Sequence, residues 1–185
     1  DGERGDGKAE LDYVLAHGPL FEAWCQKRDL PFIIISPQLP MYGRGDIPYI
    51  KSRKPSDIPQ RRAEGLNPLP WHPHPTIPMN GEAAVVPTRD IENESAGWNT
   101  LEGELLGMLD TVLARYHSDP HRVYLTGLSY GGFGSWFMAA RHPERFAAIA
   151  PVVGYGLPSM APPLAAAKMP IWAFAGGRDQ GEPPK

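Results

Sequence analysis

Thr126-Gly127-Leu128-Ser129-Tyr130-Gly131-Gly132 is the stretch on which the reading of this chain turns. Just before it, Arg122-Val123-Tyr124-Leu125-Thr126 is a short aromatic and β-branched run that reads as a strand. Just after it, residues 131–141 read as a helix that stops ahead of His142-Pro143, because the residue before a proline is driven out of helical dihedrals. A serine thus stands at a strand-to-helix turn, with a glycine two residues away on either side. The glycines have a steric reason: at so sharp a turn the flanking backbones come too close for a Cβ. The turn lifts the serine hydroxyl above the carboxyl ends of the strands and aims the N-terminus of the new helix at any charge developing there. Gly-x-Ser-x-Gly in this context is the nucleophile-elbow pattern. A dinucleotide fingerprint is disfavoured, since the glycine spacing is wrong and no acidic residue ends the next strand.

Outward from the turn, strands alternate with helices. Residues 146–153 and 170–175 are further apolar strand-like runs, and residues 31–36 (Pro-Phe-Ile-Ile-Ile-Ser) read as a strand buried on both faces. Residues 99–117 carry Leu101, Leu105, Met108, Leu109, Val112, Leu113 and Tyr116 at helical spacing, with Asn99 and Glu102 resembling a capping box. Two shorter helices are expected at 9–17 and 20–27, separated by Gly18-Pro19. The alternation predicts right-handed βαβ units and a parallel sheet. Between residues 37 and 87 the periodicity collapses, and eleven of the 22 prolines fall there. Such a segment holds neither long helices nor central strands, and loops of this length are commonly functional. Within it, Trp71-His72-Pro73-His74 lacks a third spaced ligand for a metal and reads as an extended surface piece.

The composition is that of an ordinary globular domain. In 185 residues, 42% are hydrophobic and 21% charged, enough for one domain with a real core. Lysine plus arginine number 18 against 21 acids, a net charge of −3, and no basic tract offers a surface to nucleic acid. No apolar run approaches the roughly 18 residues that span a bilayer. Cys25 is the single cysteine, which excludes an internal disulfide and reads as a buried thiol.

The segment 119–132, together with Trp136, Arg141-His142-Pro143-Glu144-Arg145-Phe146-Ala147-Ala148 and Pro151, resembles the α/β-hydrolase superfamily. It is most similar to secreted esterases of the polyhydroxybutyrate depolymerase and feruloyl esterase kind, a group often labelled predicted peptidases. Gly2-Glu3-Arg4-Gly5 matches a loop of that group, and His17-Gly18-Pro19 and Ser36-Pro37-Gln38 also resemble its pattern. The resemblance covers most of the chain except about residues 40–97, which are expected to be a proline-rich insertion or lid. It implies a doubly wound parallel sheet with helices on both faces, incomplete at both ends, so that residues 1–185 are one partial α/β-hydrolase domain.

The same resemblance assigns the site. Ser129 matches the nucleophile, and the backbone N–H of Tyr130 matches one oxyanion donor. The second donor is expected at Asp1-Gly2, where the chain begins. After the strand 170–175, Gly176-Gly177-Arg178-Asp179 resembles the turn that carries the triad acid, so Asp179 is the candidate. Triad order in this fold is serine, acid, histidine. All six histidines (His17, His72, His74, His117, His121 and His142) precede Asp179, so the base is expected in a C-terminal piece beyond this sequence. His72 or His74 swinging in from the insertion is the other source. Without a base Ser129 is a weak nucleophile, and this piece by itself is expected to be inactive. Trp98 and Trp71 are candidate pocket walls for an acyl or aryl group. The substrate class implied is a small or polymer-linked ester, with no cofactor, no metal and no nucleic-acid partner. Secretion or a periplasmic location follows only from the group's habit. A serine peptidase of the prolyl-oligopeptidase type shares the same turn, and a hydrolase-like domain that only binds is the third reading.

Overall fold

The computed structural model describes residues 4–42, 44–65 and 97–175, with the backbone alone at Arg44. In chain order the helices and strands are α1 (Gly18–Leu20), α2 (Pro48–Ser52), α3 (Glu102–Tyr116), β1 (Tyr124–Leu128), α4 (Tyr130–Arg141), β2 (Ala148–Val152) and α5 (Ala161–Ala166). Their order from α3 onward follows the alternation expected from the sequence.

The centre is a parallel pair. β1 and β2 run in the register Tyr124↔Ala148 to Leu128↔Val152, joined through α4 as a βαβ unit. The segment after α5 lies along the other side of β2. Ile149 N–H donates to the Pro170 carbonyl at 3.0 Å, Trp172 N–H to that of Ile149 at 3.0 Å, and Phe174 N–H to that of Pro151 at 3.0 Å. The third run expected at 170–175 is therefore present as parallel bridges at Ile171 and Phe174.

α4 packs on both strands. Its Ala139 joins Ile149 and Leu164 in a buried cluster, closed by Leu125, Trp136, Phe146 and Met169. A second cluster lies around Leu39 and Trp98, with Leu101, Leu105, Tyr130, Phe133 and Phe137 against it. Side chains alternate across a strand, so burial of Leu125 and Ile149 on one face sends Tyr124, Thr126 and Leu128 to the other. That face is open among the described residues, with Tyr124 58% exposed. The sheet is an α/β parallel one, but helices on both faces, as expected for a doubly wound sheet, are not found among the described residues.

Four local expectations need correction. Residues 31–36 form no strand: Phe32 and Ile33 are exposed, and the pairing nearby is a single parallel bridge between Gly5 and Pro40. An apolar β-branched run becomes a strand only where a neighbouring backbone offers a ladder. The capping box does not form either. A 3-10 turn, Trp98–Leu101, precedes α3, whose N-cap is Leu101 with no side-chain cap, and the Glu102 carboxylate turns instead to His142 Nε2 at 2.6 Å. Met108 and Tyr116 lie outside the apolar stripe of α3, which is itself only half-buried. The helices expected at 9–17 and 20–27 are tighter and looser turns than drawn, a 3-10 helix at Leu11–Ala16 and a π-helical turn at Phe21–Cys25 that follows α1.

Among the described residues no helix is long and apolar enough to cross a membrane.

Candidate active site

Ser129 is the junction between β1 and α4, and its backbone adopts φ 55° and ψ −113°. A non-glycine residue there is strained, and the surroundings hold it in place. Its N–H donates to the Val152 carbonyl at 2.9 Å, and its carbonyl accepts from Phe133 N–H at 3.1 Å. The side chain is exposed, and among the described residues its hydroxyl has no hydrogen-bond partner.

The crowding expected of the flanking glycines is visible in the distances. A Cβ placed on Gly127 would lie 2.3 Å from the carbonyl carbon and oxygen of Gly131 and 2.6 Å from its Cα. No carbon tolerates that approach to a backbone, so Gly127 makes room for the backbone of Gly131. The next contact seats the helix on the sheet. A Cβ on Gly154 would lie 2.5 Å from Gly132 and Phe133 backbone atoms, so α4 rests directly on the chain leaving β2. Beside it Val153 has φ 46°, a strained value for a β-branched residue, fixed by its N–H donating to the Phe174 carbonyl at 2.8 Å. The ends of β1 and β2 thus form one rigid rim.

Tyr130 is the first residue of α4, one residue ahead of the start read from the sequence, and its carbonyl accepts from the Trp98 indole N–H at 2.7 Å. Trp98 is 5% exposed and sits in the cluster with Leu39. The pocket-wall role expected for Trp98 is therefore corrected: its ring packs beneath the turn and braces it. An indole buries a large apolar area while its one donor finds a carbonyl, which suits a brace better than a wall. Gly134 admits it, since a Cβ there would lie 2.7 Å from the indole nitrogen.

The loop 2–5 enters the description at Arg4. Gly5 N–H donates to the Leu39 carbonyl at 3.1 Å, and the Arg4 guanidinium stacks over the Tyr130 ring at 4.4 Å. Gln38 braces the following turn, donating to the Glu10 carbonyl at 2.8 Å and accepting from Gly7 N–H at 3.0 Å. The described end of this loop therefore lies against the residue that follows Ser129. Neither Arg4 nor Leu39 was singled out from the sequence. The Gly2-Glu3-Arg4-Gly5 match was the available signal for the first, and the second is an isolated leucine in a proline-rich stretch.

Asp1, Gly2, Trp71, His72, His74 and Asp179 lie outside the described residues. The described His142 is engaged elsewhere, with Glu102 at the far end of α4, and His121 lies in the 3-10 turn that precedes β1, at the end of that strand away from Ser129. Among the described residues no group of three or more His, Cys, Asp or Glu side chains is placed to hold a metal ion.

Comparison with known proteins falls on this same region. Residues 95–157 match the model of the prolyl oligopeptidase family. Poly(3-hydroxyalkanoate) depolymerase C of Paucimonas lemoignei is 46% identical over 56 residues, which are 29% of this chain and 14% of that protein. Acetylxylan esterase A of Emericella nidulans is 32% identical over 75 residues, 40% of this chain and 24% of that protein. The chain thus matches a quarter or less of each relative's length. The α/β-hydrolase resemblance, with esterases among the relatives, is thereby shown, and these matches support a serine hydrolase.

Proposed function

We propose that this chain carries the nucleophile of a serine carboxylesterase. The observation that supports this most is the exposed Ser129, held at φ 55° between two glycines whose backbones touch. In this reading the turn is a nucleophile elbow. Oγ of Ser129 attacks an ester carbonyl while a histidine takes its proton. Asp179 holds that imidazole in the right tautomer and stabilises its cation. By triad order the histidine follows Asp179 in the full-length protein. The Tyr130 N–H and an amide near Asp1-Gly2 receive the tetrahedral oxyanion. The alkoxide leaves with the proton from the histidine, and water then releases the acyl group by the reverse sequence. Trp71 remains a candidate wall for the acyl or aryl group. Secretion, on the model of the resembling esterases, belongs to this reading, as does an insertion or lid at about 40–97.

Ser129→Ala in the full-length protein lowers turnover of a p-nitrophenyl ester by on the order of 10⁴–10⁶. Near-parental turnover in that variant refutes the assignment.

The match to the prolyl oligopeptidase family model favours a second reading, a serine peptidase built on the same turn. One named relative is an esterase by name and the other a depolymerase of poly(3-hydroxyalkanoate), a polyester, which ranks the esterase first. Rates on a matched ester and amide separate the two, and a dominant amidase reverses the order.

A further inference from the structure

We infer that Arg4 is a positioning residue for the catalytic turn, coupling the loop 2–5 to the residue that follows Ser129. The inference rests on the serine-hydrolase reading above and goes one step deeper into the same site.

Arg4 has no exposed surface at all. A buried guanidinium gives up its hydration, and its partners must offset that loss. Here its contacts bridge three segments. Its plane lies over the Tyr130 ring at 4.4 Å, a desolvated cation–π contact. Its Nη1 donates to the Pro40 carbonyl at 3.0 Å, and its own carbonyl accepts from Arg53 Nη1 at 2.6 Å. Arg53 in turn pairs with Glu10 at 3.0 Å and lies over the Tyr13 ring at 4.0 Å. The Tyr130 ring is held on its other flank by Phe133, edge-on with centroids 6.2 Å apart. Its carbonyl is held by Trp98 at 2.7 Å. Ring and carbonyl are thus both fixed, and the peptide between Ser129 and Tyr130 inherits that orientation. That peptide's N–H is the proposed oxyanion donor, and the loop bearing Arg4 is the proposed source of the other. Arg4 therefore helps to set the direction of the Tyr130 N–H, on which oxyanion stabilisation depends steeply.

The test uses the full-length protein, a p-nitrophenyl ester, and active sites counted by fluorophosphonate titration. Arg4→Met lowers kcat per titrated site by about 10- to 100-fold while KM changes less than about threefold, because the lost interaction matters in the transition state. Affinity for a boronic acid, which mimics the tetrahedral oxyanion, falls in parallel. Tyr130→Leu behaves alike, and the double variant is no worse than the poorer single one, since both break one contact. If Arg4→Met does not fold, Arg4→Lys keeps the buried cation but loses the planar stack, and lowers kcat about 10-fold. A merely structural Arg4 would lower the number of titrated sites or Tm and leave kcat per site parental. That result, or additive effects in the double variant, overturns the inference. Ser129→Ala, run alongside, separates the two levels. Its inactivity with parental kcat in the Arg4 variants defeats the inference alone, whereas its activity defeats the hydrolase reading and the inference with it.

Discussion

Residue by residue, what marks Ser129 out is steric rather than electrostatic. Its dihedrals of 55° and −113° go with a turn so tight that a Cβ on Gly127 would meet the backbone of Gly131. The account predicts that Gly127→Ala, which puts a carbon 2.3 Å from rigid backbone, destabilises the protein by about 2–4 kcal/mol and removes activity. Urea unfolding and ester turnover on the same preparation check it; an unchanged midpoint contradicts the crowding argument. This part of the site was legible in the sequence, because Gly-x-Ser-x-Gly encodes contacts between residues four apart. Trp98 was misjudged for the opposite reason. Its partners, Leu39, Tyr130 and Gly134, are scattered along the chain, and no local spacing tells a buried indole from a ligand-facing one.

Among the elements, the ones that sequence period reveals are those whose partners are near in sequence. β1, α4 and β2 form one βαβ unit, and their positions follow from the apolar runs and the glycine turn between them. The run at 31–36 has the same composition as a buried strand, yet Phe32 and Ile33 are exposed, since strand formation is decided by a distant neighbour. The loop leading from Arg4 is organised by polar contacts that no period announces. Asp6 accepts from Lys8 N–H at 2.8 Å and Glu10 N–H at 3.0 Å, and these bonds hold its carboxyl below the ordinary carboxylate range. A carboxyl lowered in the folded state adds stability above its unfolded value and loses it as pH falls through the folded one. Asp6→Ala is therefore less stable than the parent at neutral pH, and the gap closes in acid below the ordinary carboxylate range. Urea midpoints of both proteins across pH 2–7 read this directly; a gap that persists or widens in acid is the contrary result.

At the scale of the whole molecule, two clusters clamp the turn from beneath. The Ala139–Ile149–Leu164 core seats α4 on the sheet, and the Leu39–Trp98 cluster holds the first turn of α4. The opposite sheet face is open among the described residues, with Trp172 71% exposed beside Phe174 at a centroid distance of 4.8 Å. A parallel sheet ordinarily has both faces covered. Everything proposed for this protein depends on the hydroxyl of Ser129 doing the chemistry. The most direct measurement is to treat the full-length protein with a fluorophosphonate and map the adduct by peptide mass spectrometry. The account predicts one adduct, on Ser129, rising in step with loss of ester turnover; turnover lost while Ser129 stays unmodified would contradict it.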